Sequence, residues 1–156
     1  MTTVAHPLRR FAGDASGTAL IEMAIVLPLA LSLMIGGVEF GRILSVYSTA
    51  DKSVRNAVRY LSRVPETGVC SWGLTNARNL ALYGVLPGQS ADPLVAGWTA
   101  PGTITLTAPA CGSFTEDTIL ALDAAVPFQA FMLSALPGFS NTFTLNLRHE
   151  ERHVGE

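Results

Sequence analysis

The sequence predicts an α+β protein: one long N-terminal helix, its first half able to cross a membrane, packed on a small antiparallel sheet. Three observations carry this. Met23–Val38 (MAIVLPLALSLMIGGV) contains no charged residue. Val46, Ala50, Val54, Ala57, Val58 and Leu61 then recur at helical spacing. Thr103–Thr107 (TITLT) and Thr142–Leu147 (TFTLNL) alternate as half-buried strands do. Composition points the same way. Only 14% of residues are charged and 49% are hydrophobic, against about 25% charged in an ordinary soluble domain, and the mean hydropathy is +0.36. This apolar content excludes a disordered chain. A pI near 5.9 gives no support to nucleic-acid binding.

The helix comes first. Sixteen helical residues from Met23 to Val38 cover about 24 Å, slightly short of a hydrocarbon core of about 30 Å; starting at Thr18 brings the length to about 31 Å. That extension takes in Glu22. An ionised carboxylate inside the span costs about 2.5–3.5 kcal/mol, so Glu22 either lies at headgroup depth or has a partner. Pro28 falls mid-span, where membrane helices tolerate it. After Val38 the segment EFGRILSVYSTADKSVRNAVRYLSR continues as helix, giving about 45 residues and about 65–70 Å in all. Lys52, Arg55, Arg59 and Arg63 fall on the side opposite the apolar positions and read as a solvated face, with a contact surface for acidic partners as the lesser reading. A cleaved secretory signal peptide fits poorly, because no A-x-A site closes the apolar run and the helix continues through it. The expected organisation is a basic leader over 1–17, a helix over 18–64 that spans the membrane at about 18–38, and a small extracytoplasmic α+β domain over 65–156.

Charge divides unevenly. Residues 1–64 hold seven Lys/Arg and four Asp/Glu, a net of +3, and residues 65–156 hold three and eight, a net of -5. Counting basic residues near the span does not settle orientation, since Arg9 and Arg10 precede it while Arg42, Lys52 and Arg55 follow it. The cysteines bear on the question. Cys70 and Cys111 both follow the span, at a spacing that matches no C-x-x-C metal or redox pattern. In an oxidising compartment they can close a loop of about 42 residues, worth about 4 kcal/mol; the alternative is two buried thiols. The disulfide, with the domain facing outward, is the reading favoured by their position.

Within the domain, Thr75 is placed to cap a short helix ending near Gly84. Leu86–Gly102 reads as a loop, and Thr118–Val126 is strand-compatible. Phe128–Leu136 reads as a short helix or an apolar flap before Pro137-Gly138. His149-Glu150-Glu151-Arg152-His153 matches H-E-x-x-H, but the zinc-protease motif needs a core helix and here it directly follows a strand, so an exposed polar tail is expected. The aromatics Trp72, Trp98, Phe114, Phe128, Phe131, Phe139 and Phe143 are expected in the core or at an interface. No G-x-S-x-G, phosphate-cradling glycine loop or Cys/His nucleophile pair occurs. No enzyme, cofactor or metal is expected.

Gly17–Ile43 (GTALIEMAIVLPLALSLMIGGVEFGRI) followed by SVRNAVRYLSR resembles the TadE-like pseudopilins of tight-adherence (Flp-type) pilus systems. The shared pattern is small residues, a glutamate, an apolar run with Pro28, then Glu39-Phe40-Gly41-Arg42 and a helix carrying Arg59-Tyr60. Val126–Gln129 (VPFQ) and Thr144–Arg152 (TLNLRHEER) are more weakly similar. The resemblance implies a pilin-like fold and cleavage by a prepilin peptidase between Gly17 and Thr18, which leaves Glu22 fifth in the mature chain. Its carboxylate would pair with a neighbouring subunit's free Thr18 amine and set subunit register. The implied partners are other pilins and pseudopilins through the N-terminal helix, the prepilin peptidase and the inner-membrane assembly platform. The implied location is the bacterial inner membrane with the C-terminal domain in the periplasm, extracellular once in a pilus. The function implied is that of a minor pseudopilin that helps initiate or cap the pilus. The residues alone leave a different class open: a membrane-anchored extracytoplasmic binding or enzymatic domain outside any pilus.

Overall fold

A computed structural model describes residues 15–115, 117–131 and 141–155. The chain divides into two compact units, one up to Val38 and one from Glu39 to Glu156. The element order is one long helix, a short helical region and three strands, an α+β architecture with the helix packed on the sheet.

Helix α1 runs Ala15–Leu61, 47 residues with Pro28 as its only internal proline. In the first unit the Ser32 hydroxyl donates to the Pro28 carbonyl at 2.8 Å. The helix ends by tightening. The Arg63 and Val64 amides donate to the Tyr60 and Leu61 carbonyls, three residues back, and Pro65 then stops any continuation.

The second unit is built on the far half of α1. Ala50, Val54, Ala57, Val58 and Leu61 are fully buried there, on the side that the helical spacing indicated. A helical turn Glu66–Gly68 and a π-helical turn Val69–Gly73 lead into helix α2, Leu74–Tyr83. Thr75 does not cap α2. Gly73 is already helical (φ -60, ψ -49) as the chain leaves the preceding turn, so no extended cap position exists. The Thr75 hydroxyl donates instead to the Ser71 carbonyl, at 3.2 Å. The far end is as expected: Gly84 adopts the left-handed conformation (φ 73), and its amide donates to the Leu80 carbonyl at 2.9 Å. The loop that follows buries Trp98 completely, its indole N–H donating to the Thr103 hydroxyl at 2.8 Å.

Strands β1 (Ile104–Thr107), β2 (Ile119–Gln129) and β3 (Thr142–Arg152) form an antiparallel sheet in the order β1-β2-β3. The register sets Ile104 opposite Ala124, and Leu122 opposite both Leu106 and His149. Alternation then buries Leu120, Leu122, Ala124, Val126 and Phe128 of β2 on one face. The opposite face carries Thr107, Asp123 and Arg148. Arg148 lies 3.2 Å from Asp123 and 2.8 Å from Glu150. The Glu150 hydrogen bond, then the Asp123 charge, hold its guanidinium above its ordinary range. Pro127 is tolerated because β1 pairs only with Ala121–Ala124, so beyond that point β2 has an open side.

Two expectations change. Phe128 and Gln129 belong to β2, not to a helix or flap, and residues 132–140 lie outside the described residues. Nor is His149–His153 an exposed tail. Strand β3 runs through Arg152, and the His149 ring nitrogen Nε2 lies 2.7 Å from Asp51 of α1. His153 is 1% exposed, with Nε2 2.9 Å from the Val64 carbonyl. Polar residues continue the strand because α1 supplies matching polar groups.

Candidate functional site

In the first unit, helix α1 exposes nearly all of its apolar residues. Leu20, Ile21, Met23, Ile25 and Leu33 are each more than half exposed. An 18-residue window there reaches a mean hydropathy of 2.2 with none of it buried, long and apolar enough to cross a membrane. Gly17 and Thr18 lie in the first turns of this helix, and residues 1–14 of the expected leader are outside the described residues. Glu22 is exposed, one turn on from Thr18. Water would solvate its carboxylate, whereas hydrocarbon would not, so a lipid-embedded Glu22 requires a cationic or hydrogen-bonding partner.

In the second unit, a separate carboxylate organises the E-F-G-R motif. Glu39 is 1% exposed, although Phe40 beside it is 61% exposed. Helical geometry turns Glu39 inward while Phe40 and Gly41 point away from the core. The Arg42 guanidinium, one turn on, donates to both Glu39 oxygens at 3.0 and 3.2 Å. The Phe131 amide, two residues past the end of β2, donates to Glu39 Oε1 at 3.0 Å. Arg42 also lies 5.6 Å from the centre of the Phe128 ring. Glu39 thus fastens the end of β2 to α1 across a sequence separation of 92. Sequence placed Glu39 in a signature but gave it no task.

This helix also carries the deciding comparison. Residues 17–59 match the family model described as TadE-like protein. Over this segment the chain is similar to the TadE-like family. No curated protein and no solved structure matches the chain. The TadE-like family is associated with Tad pili and is structural in character. The TadE-like segment takes in Gly17, Thr18, Glu22, Pro28, Glu39, Phe40, Gly41, Arg42 and Arg59, and Tyr60 follows it immediately. The sheet lies wholly beyond it.

Outside the TadE-like segment, Cys70 and Cys111 form a disulfide with Cα atoms 6.0 Å apart. The bond joins the π-helical turn to the loop after β1. The H-E-x-x-H residues are spread along a strand, where His149 and His153 are engaged by Asp51 and by the Val64 carbonyl. Among the described residues no three His, Cys, Asp or Glu side chains gather closely enough to hold a metal ion. Lys52 and Arg63 are exposed, Arg55 pairs with Asp51 at 3.3 Å, and Arg59 pairs with Glu151 of β3 at 3.2 Å. Of the aromatics, Trp98, Phe114 and Phe128 are buried, Trp72, Phe131 and Phe143 are exposed, and Phe139 is outside the described residues.

Proposed function

We propose that this protein is a minor pseudopilin of a Tad/Flp-type adhesive pilus, a structural subunit that helps initiate or cap the fibre and carries no chemistry of its own. The observation that carries the reading is a single carboxylate, Glu22, in an otherwise uncharged apolar stretch of the helix that matches the TadE-like family. The span anchors the chain in the bacterial inner membrane with the second unit in the periplasm, and a disulfide suits that oxidising compartment. Prepilin peptidase cuts between Gly17 and Thr18. The Thr18 amine so released pairs with Glu22 of a neighbouring pilin or pseudopilin as the assembly platform draws the helices together. The apolar surface continues past Val38 through Phe40, Leu44 and Tyr47, exposed at one-turn intervals, which suits packing along another helix.

The test is Glu22→Gln. Membrane insertion should be unchanged or improved, because a charge leaves the span. The N-terminus of the processed protein should read from Thr18. Pilus output should fall, since the partner amine loses its counter-charge, a loss of about 3–5 kcal/mol for a fully buried pair and less near headgroups. Normal pilus numbers, or an intact Met1 end on assembled protein, would refute the reading. They would instead favour an anchored binding domain outside any pilus.

A further inference from the structure

A groove of about 480 Å³ lies between the last turns of α1 and the start of the short helical region, lined in part by Asn56, Arg59, Tyr60, Arg63 and Trp72. Its volume is within the range of small-molecule sites, about 300–1,000 Å³. Three features show how its side chains are held.

Trp72 is 51% exposed, whereas the other tryptophan, Trp98, is completely buried. Its position is fixed by the backbone. The indole lies against Gly68, where a Cβ would come within 2.6 Å of the ring, and the neighbouring Cys70 is tied to Cys111. A half-exposed indole seated against Gly68 on a cross-linked turn offers one open face as a platform. Tyr60 is fixed as well, its hydroxyl accepting from the Asn76 amide at 2.9 Å.

The charge in the groove is positive. Arg59 is balanced by Glu151 at 3.2 Å. Arg63, one helical turn on, is exposed and has no ion-pair partner among the described residues. A guanidinium offers paired N–H donors that match a carboxylate. The indole face carries negative quadrupole density and attracts the electropositive C–H bonds of a saturated ring. Asn56 adds an amide donor and acceptor to the lining.

We infer that this groove binds an acidic saccharide, with a uronic-acid carboxylate on Arg63 and the ring's C–H face on Trp72. An acidic peptide would satisfy Arg63 but reaches the indole with a saturated ring only where a proline stands beside the acid. A uronic acid carries carboxylate and ring on one rigid unit, so the combination favours the sugar. The site is independent of whether the chain enters a pilus.

The experiment titrates an oligogalacturonate into the full chain, purified in a zwitterionic detergent without sugar headgroups. It follows the heat of binding by calorimetry, which reads every variant, with tryptophan emission alongside. Trp72 reports the site and buried Trp98 reports the fold. The expected result is saturable binding in the millimolar range or tighter. It should weaken at least tenfold in Arg63→Gln and in Trp72→Ala while the Trp98 emission is retained, and a neutral galactose oligomer should bind at least tenfold more weakly. Absence of saturation, binding unaltered by both substitutions, or equal affinity for a poly-glutamate peptide would overturn the assignment.

Discussion

Glu39 and Arg42 should respond to mutation in an order opposite to that of an ordinary surface pair. Glu39 is 1% exposed while Arg42 is 47% exposed, so the two partners face different costs when left alone. In Glu39→Gln the amide oxygen still accepts the Phe131 N–H, and Arg42 turns into water. The loss is the difference between a charged and a neutral hydrogen bond, about 1–1.5 kcal/mol. In Arg42→Ala the carboxylate stays buried without its counter-ion. A fully buried broken pair costs about 3–5 kcal/mol, and water reaching the vacated Arg42 side should lower this to about 2–4 kcal/mol. The double variant removes both charges and should recover about 1 kcal/mol relative to Arg42→Ala, since both lack the contact of Arg42 with the Phe128 ring. Urea unfolding of the full chain in detergent, followed by Trp98 emission, measures all three. With a slope of about 2 kcal/mol/M, Arg42→Ala should lower the midpoint by about 1–2 M. A larger drop for Glu39→Gln than for Arg42→Ala, or a double variant less stable than both, would refute the view of Glu39 as a buried anchor.

The Cys70→Ser/Cys111→Ser variant opens a loop with a sequence separation of 41 and should lose about 4 kcal/mol, visible as a lower urea midpoint that matches the wild type under reductant. An unchanged midpoint would mean that the unfolded chain is already compact across that loop. In His153→Leu the Val64 carbonyl loses the ring N–H that reaches it at 2.9 Å, so the unfolding free energy should fall by about 1–3 kcal/mol, seen as a lower midpoint with little change in slope.

The helix was legible because its signals are local. An uncharged run and a 3.6-residue apolar spacing need no knowledge of distant chain, and the same holds for Gly84, which ends α2 through its own left-handed backbone. The strands were half legible. TFTLNL alternates visibly, but RHEER continues β3 only because Asp51 and Arg59, 98 and 92 positions away, face His149 and Glu151. No local pattern encodes such pairing. Pro127 likewise sits inside β2 because β1 pairs only with Ala121–Ala124, a register that no local pattern displays. The start of α2 went astray because Thr75 reads as a cap, yet the preceding turn delivers the chain already helical. In the candidate sites, Glu22 stood out as a charge among apolar neighbours. Glu39 needed a backbone N–H from Phe131, and the Trp72 groove needed the fold of Gly68–Gly73, neither of which a sequence spacing displays.

The polar fastenings between α1 and β3 also set a timetable for biogenesis. Synthesis proceeds at about 5–20 residues per second. The partners of Arg59 and Asp51 are 92 and 98 positions downstream, so they follow about 5–20 seconds later. During that interval Ala50, Val54, Ala57, Val58 and Leu61 have emerged without the completed sheet with which they share a core. The face is sticky but modest, since two of its five members are alanine. A nascent chain in this condition is a natural client for a holding chaperone. Substitutions in β3 that delay closure should therefore reveal themselves as proteolytic loss during export before they register as lowered stability of the finished protein.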